Sequence, residues 1–384
     1  MAHTQYRDTG KDTFWGGYFY DKIVPQDHFL RALKELFGWD HLGERLIALY
    51  EGKGVVGRPP YDPVLMLKML LLSYLYGLSA RDTERYVNEN IPARYFVDLA
   101  LDQAAPDHST LGLFKERLLG NGNWDELQHI FDGLLQQACA QGLQLGRIQL
   151  VDSVHTQADV NPQKDKERQN RGQASRDPDA RMVDKGEREV VEPDGQKVKK
   201  RIRFLGYKTH ASVDAETGIV TSIVPDRGNS ADNKAFPALL EHDRSLGLST
   251  DTYGGDKAYD DTDLFERIEE LGLHVGIKLR RTRTTKKDAN KQRWLDLQAT
   301  PQYQEATRIR GRVEQPFGQA KDKHGFEHAR YLGLLNHGFQ AYLTFMVVNA
   351  KRMVKLLTGI TLRALAKGRQ AEVFQPVYAS LPWA

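Results

Sequence analysis

The chain has 384 residues, of which 40% are hydrophobic and 27% charged, and its formal net charge is +3. This composition is that of a folded globular protein with room for two or three domains, and it excludes a disordered chain. The single cysteine, Cys139, excludes an internal disulfide framework and a zinc site built from cysteines.

The sequence shows no signal for secretion or membrane insertion. Its N-terminal segment lacks the apolar run of a signal peptide. The longest apolar run, Val64 to Leu78, is interrupted by Lys68 and is too short to span a bilayer. We therefore expect a cytoplasmic protein without a membrane partner.

Helical periodicity dominates residues 1–145. Apolar side chains recur at three- and four-residue steps between Phe29 and Phe37. Asp62 can cap a helix that starts at Pro63 and continues to about Tyr76. Further helices are predicted from Ser79, from Ser109 or Thr110, and over Asn123 to Gly142.

The two predicted helices on either side of Gly77 have the spacing of a helix-turn-helix. Such a pair can place its second helix on DNA, yet most helical hairpins of this kind are core scaffolding. The pattern alone favours scaffolding and leaves DNA contact as the alternative.

A mixed α/β pattern begins at Gly146. The apolar run Ile148 to Val151 ends at Asp152, which is typical of a buried strand with an acid at its end. The alternating segments that follow predict a β-hairpin, Phe204 to Asp214 and Gly218 to Pro225. Two helices and two short strands come next, namely Asp232 to Leu246, Thr252 to Gly255, Thr262 to Leu271 and His274 to Leu279. A final helix carries Phe339 to Met353, so the order predicts an α/β core with mixed strand directions.

Two charged segments interrupt this pattern. Residues 161–202 are rich in charge and poor in apolar side chains, so we predict a long loop. The loop could contact DNA, although a solvated linker is the favoured alternative. Residues 278–330 hold 14 Lys and Arg against 6 Asp and Glu, which indicates a surface that faces a polyanion.

The second charged segment contains the candidate DNA contacts of the sequence. Four long cationic side chains are candidate phosphate contacts, with a solvated loop as an equally common alternative: Lys286, Lys287, Lys291 and Arg293. Trp294 could stack on an unpaired base, with a core position as the favoured alternative.

Three carboxylates follow or flank the predicted strands. Asp152 ends the first strand, Asp256 follows Gly255, and Glu314 lies on the helix after the last strand. Carboxylates that meet at one sheet edge repel one another unless a cation lies between them. Mg²⁺ prefers such oxygen ligands, and a pair of ions about 4 Å apart assists in-line phosphoryl transfer. The ordered set predicts this chemistry, although an isolated Asp at a strand end is more often a cap.

Glu314 is flanked by two cations. Arg310 precedes it by four residues and Lys321 follows it by seven, so a continuous helix would place all three within about 40° of one another. A surface ion pair is the simple alternative. Pro316 can start or bend a helix here, in which case Arg310 leaves that face.

These motifs resemble the D-D-E set of bacterial insertion-sequence transposases. The acids lie in LVDSVHTQADV, GGDKAYD and RGRVEQPFGQAK. The third motif is similar to the Tyr-x2-Arg-x3-Glu-x6-Lys pattern of the insertion-sequence-five-like branch, with Arg310, Glu314 and Lys321 at matching positions. Thr307 stands where that branch has its tyrosine, and Tyr303 lies four residues earlier. Two N-terminal stretches, from Arg58 and from Pro106, also resemble this family, so the likeness covers roughly residues 50 to 350.

The resemblance implies a ribonuclease-H-like catalytic domain, with a mixed sheet flanked by helices, after an all-helical N-terminal region. It implies that Asp152, Asp256 and Glu314 hold Mg²⁺, for which Mn²⁺ can substitute. It also implies that Arg310 and Lys321 contact DNA phosphates. Arg312, in the same stretch, is a further candidate DNA contact.

The implied activity is transposition. The enzyme would cut double-stranded DNA at the terminal inverted repeats of its element and join the exposed 3′-hydroxyl to target DNA. We expect a homodimer on DNA, in a cytoplasmic, nucleoid-associated setting. The expected divisions are a DNA-binding or dimerisation region at 1–145, the catalytic domain at 146–358 and a tail at 359–384.

Two alternatives to this function stay open. One is a non-catalytic DNA-binding protein derived from a transposase, which the three acids disfavour because clustered negative charge weakens DNA binding. The other is a ribonuclease-H-like nuclease that hydrolyses DNA without joining it.

Other polar residues near the acids have simpler interpretations. His155 and His210 lack partners at zinc-ligand spacing, so the sequence disfavours a metal role for either. Asp232 is predicted to cap the helix that follows it, with an approach to the acids as the alternative.

Overall fold

A computed structural model describes residues 6–9, 14–50, 59–191, 197–285 and 288–362. The helices within these ranges are α1 (Phe14–Ile23), α2 (Phe29–Leu36), α3 (Trp39–Ile47), α4 (Pro63–Leu75), α5 (Ala80–Glu89), α6 (Ile91–Phe96), α7 (His108–Leu118), α8 (Asp125–Ala140), α9 (Pro162–Asn170), α10 (Asp232–Ser245), α11 (Thr262–Glu270), α12 (Lys291–Ala299), α13 (Pro301–Ile309), α14 (Glu314–His324) and α15 (Leu334–Thr358). The strands are β1 (Ile148–Gln157), β2 (Arg181–Val191), β3 (Lys197–Asp214), β4 (Val220–Arg227), β5 (Thr252–Gly255) and β6 (His274–Ile277).

The N-terminal region is helical from α1 to α8, as predicted. Helix α4 starts at Pro63, where the Asp62 carboxylate accepts the Val64 N–H at 2.7 Å. Helix α7 starts earlier than predicted because Asp107, rather than Ser109 or Thr110, is its cap. Among the described residues, no single helix is long and apolar enough to cross a membrane, and the pair α4 and α5, which meets that test only together, is bent by 105°.

The sheet has the strand order of a ribonuclease-H-like fold. Its strands pair in the order β2, β3, β1, β5, β6, and β4 pairs with the C-terminal half of β3, on the side away from β1; β3 is antiparallel to β1, β2 and β4. Strand β5 is parallel to β1, and β6 is parallel to β5. The predicted α/β core with mixed strand directions is therefore confirmed. The parallel strands end at one edge, and this arrangement brings residues after β5 beside residues of β1.

The loop predicted for residues 161–202 is wrong. The segment contains α9, and β2 pairs with the N-terminal half of β3 as a two-stranded ribbon beyond the main sheet. Asp184 holds the ribbon through Arg201 and Arg203 across the strands, at 2.7 Å and 2.8 Å. Cross-strand charge pairs here take the place of apolar alternation, which is why composition indicated a loop.

One hydrophobic core connects the N-terminal helices to the sheet. Phe29 of α2, Leu67 of α4 and Phe114 of α7 share it with Val154 of β1 and Phe345 of α15. A second core lies on the other face of the sheet, between α10, α11, α12 and strands β5 and β6. Helix α15 joins the N-terminal helices to the sheet, because it packs against α4, α8 and β4.

Candidate active site

Two acids meet where β5 leaves β1. The parallel pairing of these strands ends where Val151 is opposite Gly255. Asp152 and Asp256 are the residues that follow this last pair. Strand β1 continues to Gln157 and pairs there only with β3. The prediction that Asp152 ends its strand is therefore wrong, although the acid does lie at the edge where the parallel strands separate.

Burial dominates the electrostatics of this pair. Burial, together with the smaller effect of the negative charges of Asp256 and Asp232, raises the pKa of Asp152 to about 6. The Ser153 N–H, which donates to Asp152 Oδ1 at 2.7 Å, and the cation of Arg310 oppose the shift. Asp256 is held by its own backbone, since its Oδ1 accepts the Ala258 N–H at 2.8 Å. Negative charge on Asp152 is thus costly unless a further cation approaches.

The helix through the third acid is interrupted. Helix α13 ends at Ile309, residues 310–313 form a 3-10 turn, and α14 begins at Glu314. The single-helix stripe of Arg310, Glu314 and Lys321 is therefore wrong, and Pro316 lies in the first turn of α14 instead. Glu314 and Lys321 still share one face of α14, seven residues apart.

Arg310 and Lys321 both lie near β1, although one is in the 3-10 turn and the other on α14. The 3-10 turn contacts β1, and the positive charge of Arg310 acts on Asp152. Lys321 acts on His155, whose pKa is lowered to about 3 by burial, then by Lys208 and other nearby cations. Glu314 is the first residue of α14, and its side chain is exposed.

A pair of glycines sets the position of α13. Gly254 and Gly276 are opposite one another on β5 and β6, and the Ala306 methyl group of α13 lies over them. A Cβ on Gly276 would be 2.4 Å from Ala306 Cβ, which no packed structure tolerates. The absence of both side chains lets α13 approach the sheet and fixes the turn that carries Arg310.

Tyr303 does not take the place of the tyrosine that the family pattern has at position 307. The Tyr303 side chain is buried, and its hydroxyl accepts the Leu279 N–H at 3.1 Å, so it is committed to the end of β6. The Thr307 hydroxyl is buried and has no hydrogen-bond partner among the described residues. The position of the missing tyrosine is thus occupied by a smaller side chain with an unused hydroxyl.

A polar network behind Asp152 was not expected from the sequence. Asp232 is the first residue of α10 and does not cap it, so that prediction is wrong. Its Oδ1 accepts the Ser153 hydroxyl at 2.9 Å, and the buried Lys208 ammonium lies 3.2 Å away. His210 Nδ1 lies 3.5 Å from the same oxygen.

Tyr259 marks the centre of the acidic cluster. Burial raises its pKa strongly, and Asp232, Asp152 and Asp256 all add to that shift, in this order. Its hydroxyl is buried without a hydrogen-bond partner among the described residues. Asp232 is therefore a fourth acid of this region, and the alternation of polar residues on β1 and β3 (Ser153, His210, Lys208) was the only signal for it in the sequence.

We expect Asp232→Asn to slow DNA cleavage by about 10- to 100-fold, since a residue that orients a metal-binding acid through a neighbour has effects of this size. The matched control is Asp263→Asn, which removes an exposed acid from the first turn of α11. Combining Asp232→Asn with Lys208→Met should restore any lost melting temperature without restoring cleavage. Unchanged cleavage in the single variant would show that the network does not position Asp152.

The other candidate DNA contacts lie in different surroundings. Trp294 is 0% exposed and packs edge-on against Phe265, so its predicted DNA contact is corrected to the core alternative. Arg293 is paired with Glu269 at 2.8 Å, and Arg312 donates to the Ala215 carbonyl at 3.0 Å. Lys291 is half-buried at the start of α12. Lys286 and Lys287 lie outside the described residues.

The acids fit a hard divalent cation in part. Asp152 and Asp256 offer carboxylate oxygens at one edge, and the raised pKa of Asp152 reflects a charge that a cation would stabilise. No ready-made group of three ligands is present among the described residues, so Glu314 is not assembled with the pair. His155 and His210 face Lys208 and Asp232 instead.

Comparison with solved structures gives weak overall similarity. The piggyBac transposase synaptic complex with hairpin DNA matches 86% of this chain and 76% of its own, at 9% identity and a TM-score of 0.42. The Mos1 transposase paired-end complex with left transposon end matches 71% of this chain and 84% of its own, at 11% identity and a TM-score of 0.20. Scores this low support no residue-level argument.

Family comparison is decisive. Residues 18–117 match the family described as Transposase domain (DUF772), and residues 147–350 match the Transposase DDE domain. The second match covers more than half of the chain and contains Asp152, Asp256 and Glu314. The chain therefore belongs to the Transposase DDE domain family and is a DNA transposase, an enzyme of the polynucleotidyl transferase and endonuclease class.

Proposed function

We propose that this transposase cuts DNA at the ends of its insertion sequence and joins the exposed 3′-hydroxyl to target DNA. Asp152, Asp256 and Glu314 are the proposed ligands of Mg²⁺, for which Mn²⁺ can substitute. The observation that carries the proposal is the acid pair at the point where β1 and β5 separate, with the cation of Arg310 beside it.

The residues of the site have distinct roles. Bound divalent ions would activate the attacking oxygen and stabilise the leaving oxygen. Asp152 and Asp256 provide ligands from the sheet, and Glu314 provides one from the exposed first turn of α14. The guanidinium of Arg310 can hold a phosphate through two parallel hydrogen bonds, and Lys321 acts on it as a point charge.

The helical region is proposed to support dimerisation and DNA binding, with residues 1–145, 146–358 and 359–384 as the functional divisions. Helix α5 is a poor DNA-reading helix, because Asp82, Glu84 and Glu89 outnumber its two arginines. A homodimer on DNA is proposed because two element ends must be held together. Its proposed substrates are the terminal repeats and a target duplex. Its proposed location is the cytoplasm, at the nucleoid.

A strand-transfer assay tests the proposal. The substrate is a duplex that carries the DNA flanking the gene, incubated with a target plasmid and Mg²⁺ or Mn²⁺. We expect a 3′-hydroxyl end followed by joined product. Cleavage without joining would favour the nuclease, and binding without cleavage under either metal would favour the non-catalytic DNA-binding protein.

DNA affinity should depend steeply on salt. Several Lys and Arg side chains that neutralise phosphates release condensed counterions, so affinity should fall by about 10³-fold or more between roughly 50 and 200 mM salt. Fluorescence anisotropy with a labelled duplex measures this slope. A loss of only a few-fold would contradict an extensive phosphate contact.

A further inference from the structure

A group of cations lies where the N-terminal helices meet the catalytic region. The members are on four different parts of the chain: Lys115 on α7, Lys323 on α14, Arg330 after α14 and Lys351 on α15. We call these four the junction cations. None of them forms an ion pair with a carboxylate of the described residues.

Contacts around Tyr74 connect three of these elements. Lys351 Nζ lies 3.2 Å from His324 Nε2, and His324 Nδ1 lies 2.9 Å from the Tyr74 carbonyl oxygen of α4. The Arg330 guanidinium lies over the Tyr74 ring, 4.4 Å from its centre. Lys351 and Arg330 therefore flank a single buried histidine and tyrosine.

The fourth element joins through a neighbouring ring. Lys115 Nζ is 3.5 Å from the centre of the Tyr331 ring, directly after Arg330 in sequence. Phe339 is edge-on to Tyr331 and to Tyr74, at 6.1 Å and 6.3 Å between ring centres. Lys115, Arg330 and Lys351 thus belong to one continuous surface, and the charge of Lys323 acts on Lys351 from the last turn of α14.

Burial lowers the pKa of Lys115 to about 8, and it lowers that of Lys351, with Lys323 adding to the effect. The Glu116 carboxylate, next to Lys115, opposes the lowering of the Lys115 pKa but forms no ion pair with it. Burial, and then Lys351, lowers the pKa of His324 to about 4. Lys115, Arg330 and Lys351 are half-buried cations without an ion pair among the described residues, so the surface is one that an anion would stabilise.

Simpler stabilising effects do not neutralise the group. Contact with an aromatic ring contributes about 0.5 to 1 kcal/mol at exposed sites and leaves the charge in place. The last turn of α14 favours Lys323 through the helix dipole, yet the other three cations are not on that turn. These four like charges therefore lie near one another without an ion pair to a carboxylate among the described residues.

Helix α14 runs from the turn that carries Arg310 to this surface. This helix begins with Glu314, passes Lys321 and reaches Lys323 nine residues later, or about 14 Å along its axis. Duplex DNA rises 3.4 Å per base pair, so that length corresponds to about four base pairs. A duplex that contacts Arg310 with one phosphate and runs along α14 would reach Lys323 at about this separation.

We propose that the junction cations bind the phosphate backbone of duplex DNA about four base pairs from the bond that is cut. Helix α7 and the catalytic region then hold the same DNA segment, across the contact between the two parts of the chain. This inference rests on the proposed function, because it takes the acid pair as the point of cleavage.

The test is DNA binding by the full chain without divalent metal, so that cleavage plays no part. The variant combines Lys115→Gln, Arg330→Gln and Lys351→Gln, and the probe is a labelled mixed-sequence 40 base-pair duplex at salt concentrations between 50 and 200 mM. Three lost phosphate contacts should reduce the slope of log affinity against log salt by about 2.7 and weaken binding at least tenfold near 100 mM.

The control removes the same charge elsewhere. The control variant combines Arg147→Gln, Arg244→Gln and Arg267→Gln. These arginines lie before β1 and near the ends of α10 and α11, away from the edge that carries the acid pair. This control should keep the slope. The junction variant should melt no lower than the unmodified chain, since it loses uncompensated half-buried charge, and each single substitution should lower the slope by about 0.9.

The possible outcomes separate the two proposals. Equal affinity and slope in the junction variant and the control would overturn the junction proposal alone. So would an unchanged slope with an altered oligomeric state, which would mean that the cations face an acidic surface of a second copy. An unmodified chain that binds no duplex would overturn the proposed function as well.

Discussion

Asp256→Asn is expected to abolish cleavage of the element end while leaving DNA binding intact. Asp256 lies beside Asp152 at the edge where β5 leaves β1, and its charge acts on that acid. Loss of one charged ligand from a divalent-ion site removes several kcal/mol of transition-state stabilisation, which corresponds to at least about 10³-fold in rate. Gel analysis of end cleavage with Mg²⁺, beside anisotropy of DNA binding, measures both effects.

The fold should survive this change. An Asn side chain can still accept the Ala258 N–H that Asp256 accepts, and it removes a like charge from the neighbourhood of Asp152. The melting temperature without divalent metal should therefore stay equal or rise. Asp251→Asn, which precedes the same strand at its opposite end, is the control, and full cleavage by Asp256→Asn would refute the assignment of this acid.

Gly276→Ala is expected to lower cleavage by about 100-fold in a chain that still folds. The added Cβ would lie 2.4 Å from Ala306 Cβ, so α13 must move away from the sheet. Arg310 follows α13 by one residue, and a shift of about 1 Å in a positioning group can cost about 100-fold in rate. End cleavage and circular dichroism of the same preparation test this expectation.

A compensating substitution isolates the cause. Gly276→Ala combined with Ala306→Gly removes the 2.4 Å contact and leaves contacts of 3.2 Å to Thr252 and Tyr253, so cleavage should recover in large part. Ala306→Gly alone should cost about 1 kcal/mol of stability through helix propensity and little activity. If the double variant stayed as slow as Gly276→Ala, the position of α13 would not be the reason for the loss.

The strand order and the location of two acids were predictable because they depend on short-range pattern. The apolar run before Asp152 and the Gly-rich strand before Asp256 show both periodicity and punctuation, and parallel pairing then brings the acids together. The helical N-terminal region was predictable for the same reason, since caps such as Asp62 are local signals.

The remaining features depend on contacts that sequence spacing does not contain. Asp232 precedes a helix, where a cap is the usual role, and only the fold brings Ser153 and Lys208 to it. Trp294 follows a basic segment, yet the second core buries it completely. A 3-10 turn separates Arg310 from the start of α14, and α13 before it packs on two glycines; helical spacing reveals neither feature.

The sequence pattern changes near residue 146, but the continuous core through α4, α7, β1 and α15 crosses that point. The two parts of the chain are therefore not independent folding units. A fragment cut there would lose the helices that cover α15 and would expose a long apolar face to solvent, which favours aggregation. The two parts should melt in one cooperative transition and should not be exchangeable between relatives as separate modules. Any displacement of the N-terminal helices by bound DNA would then reach the sheet as a rigid-body movement.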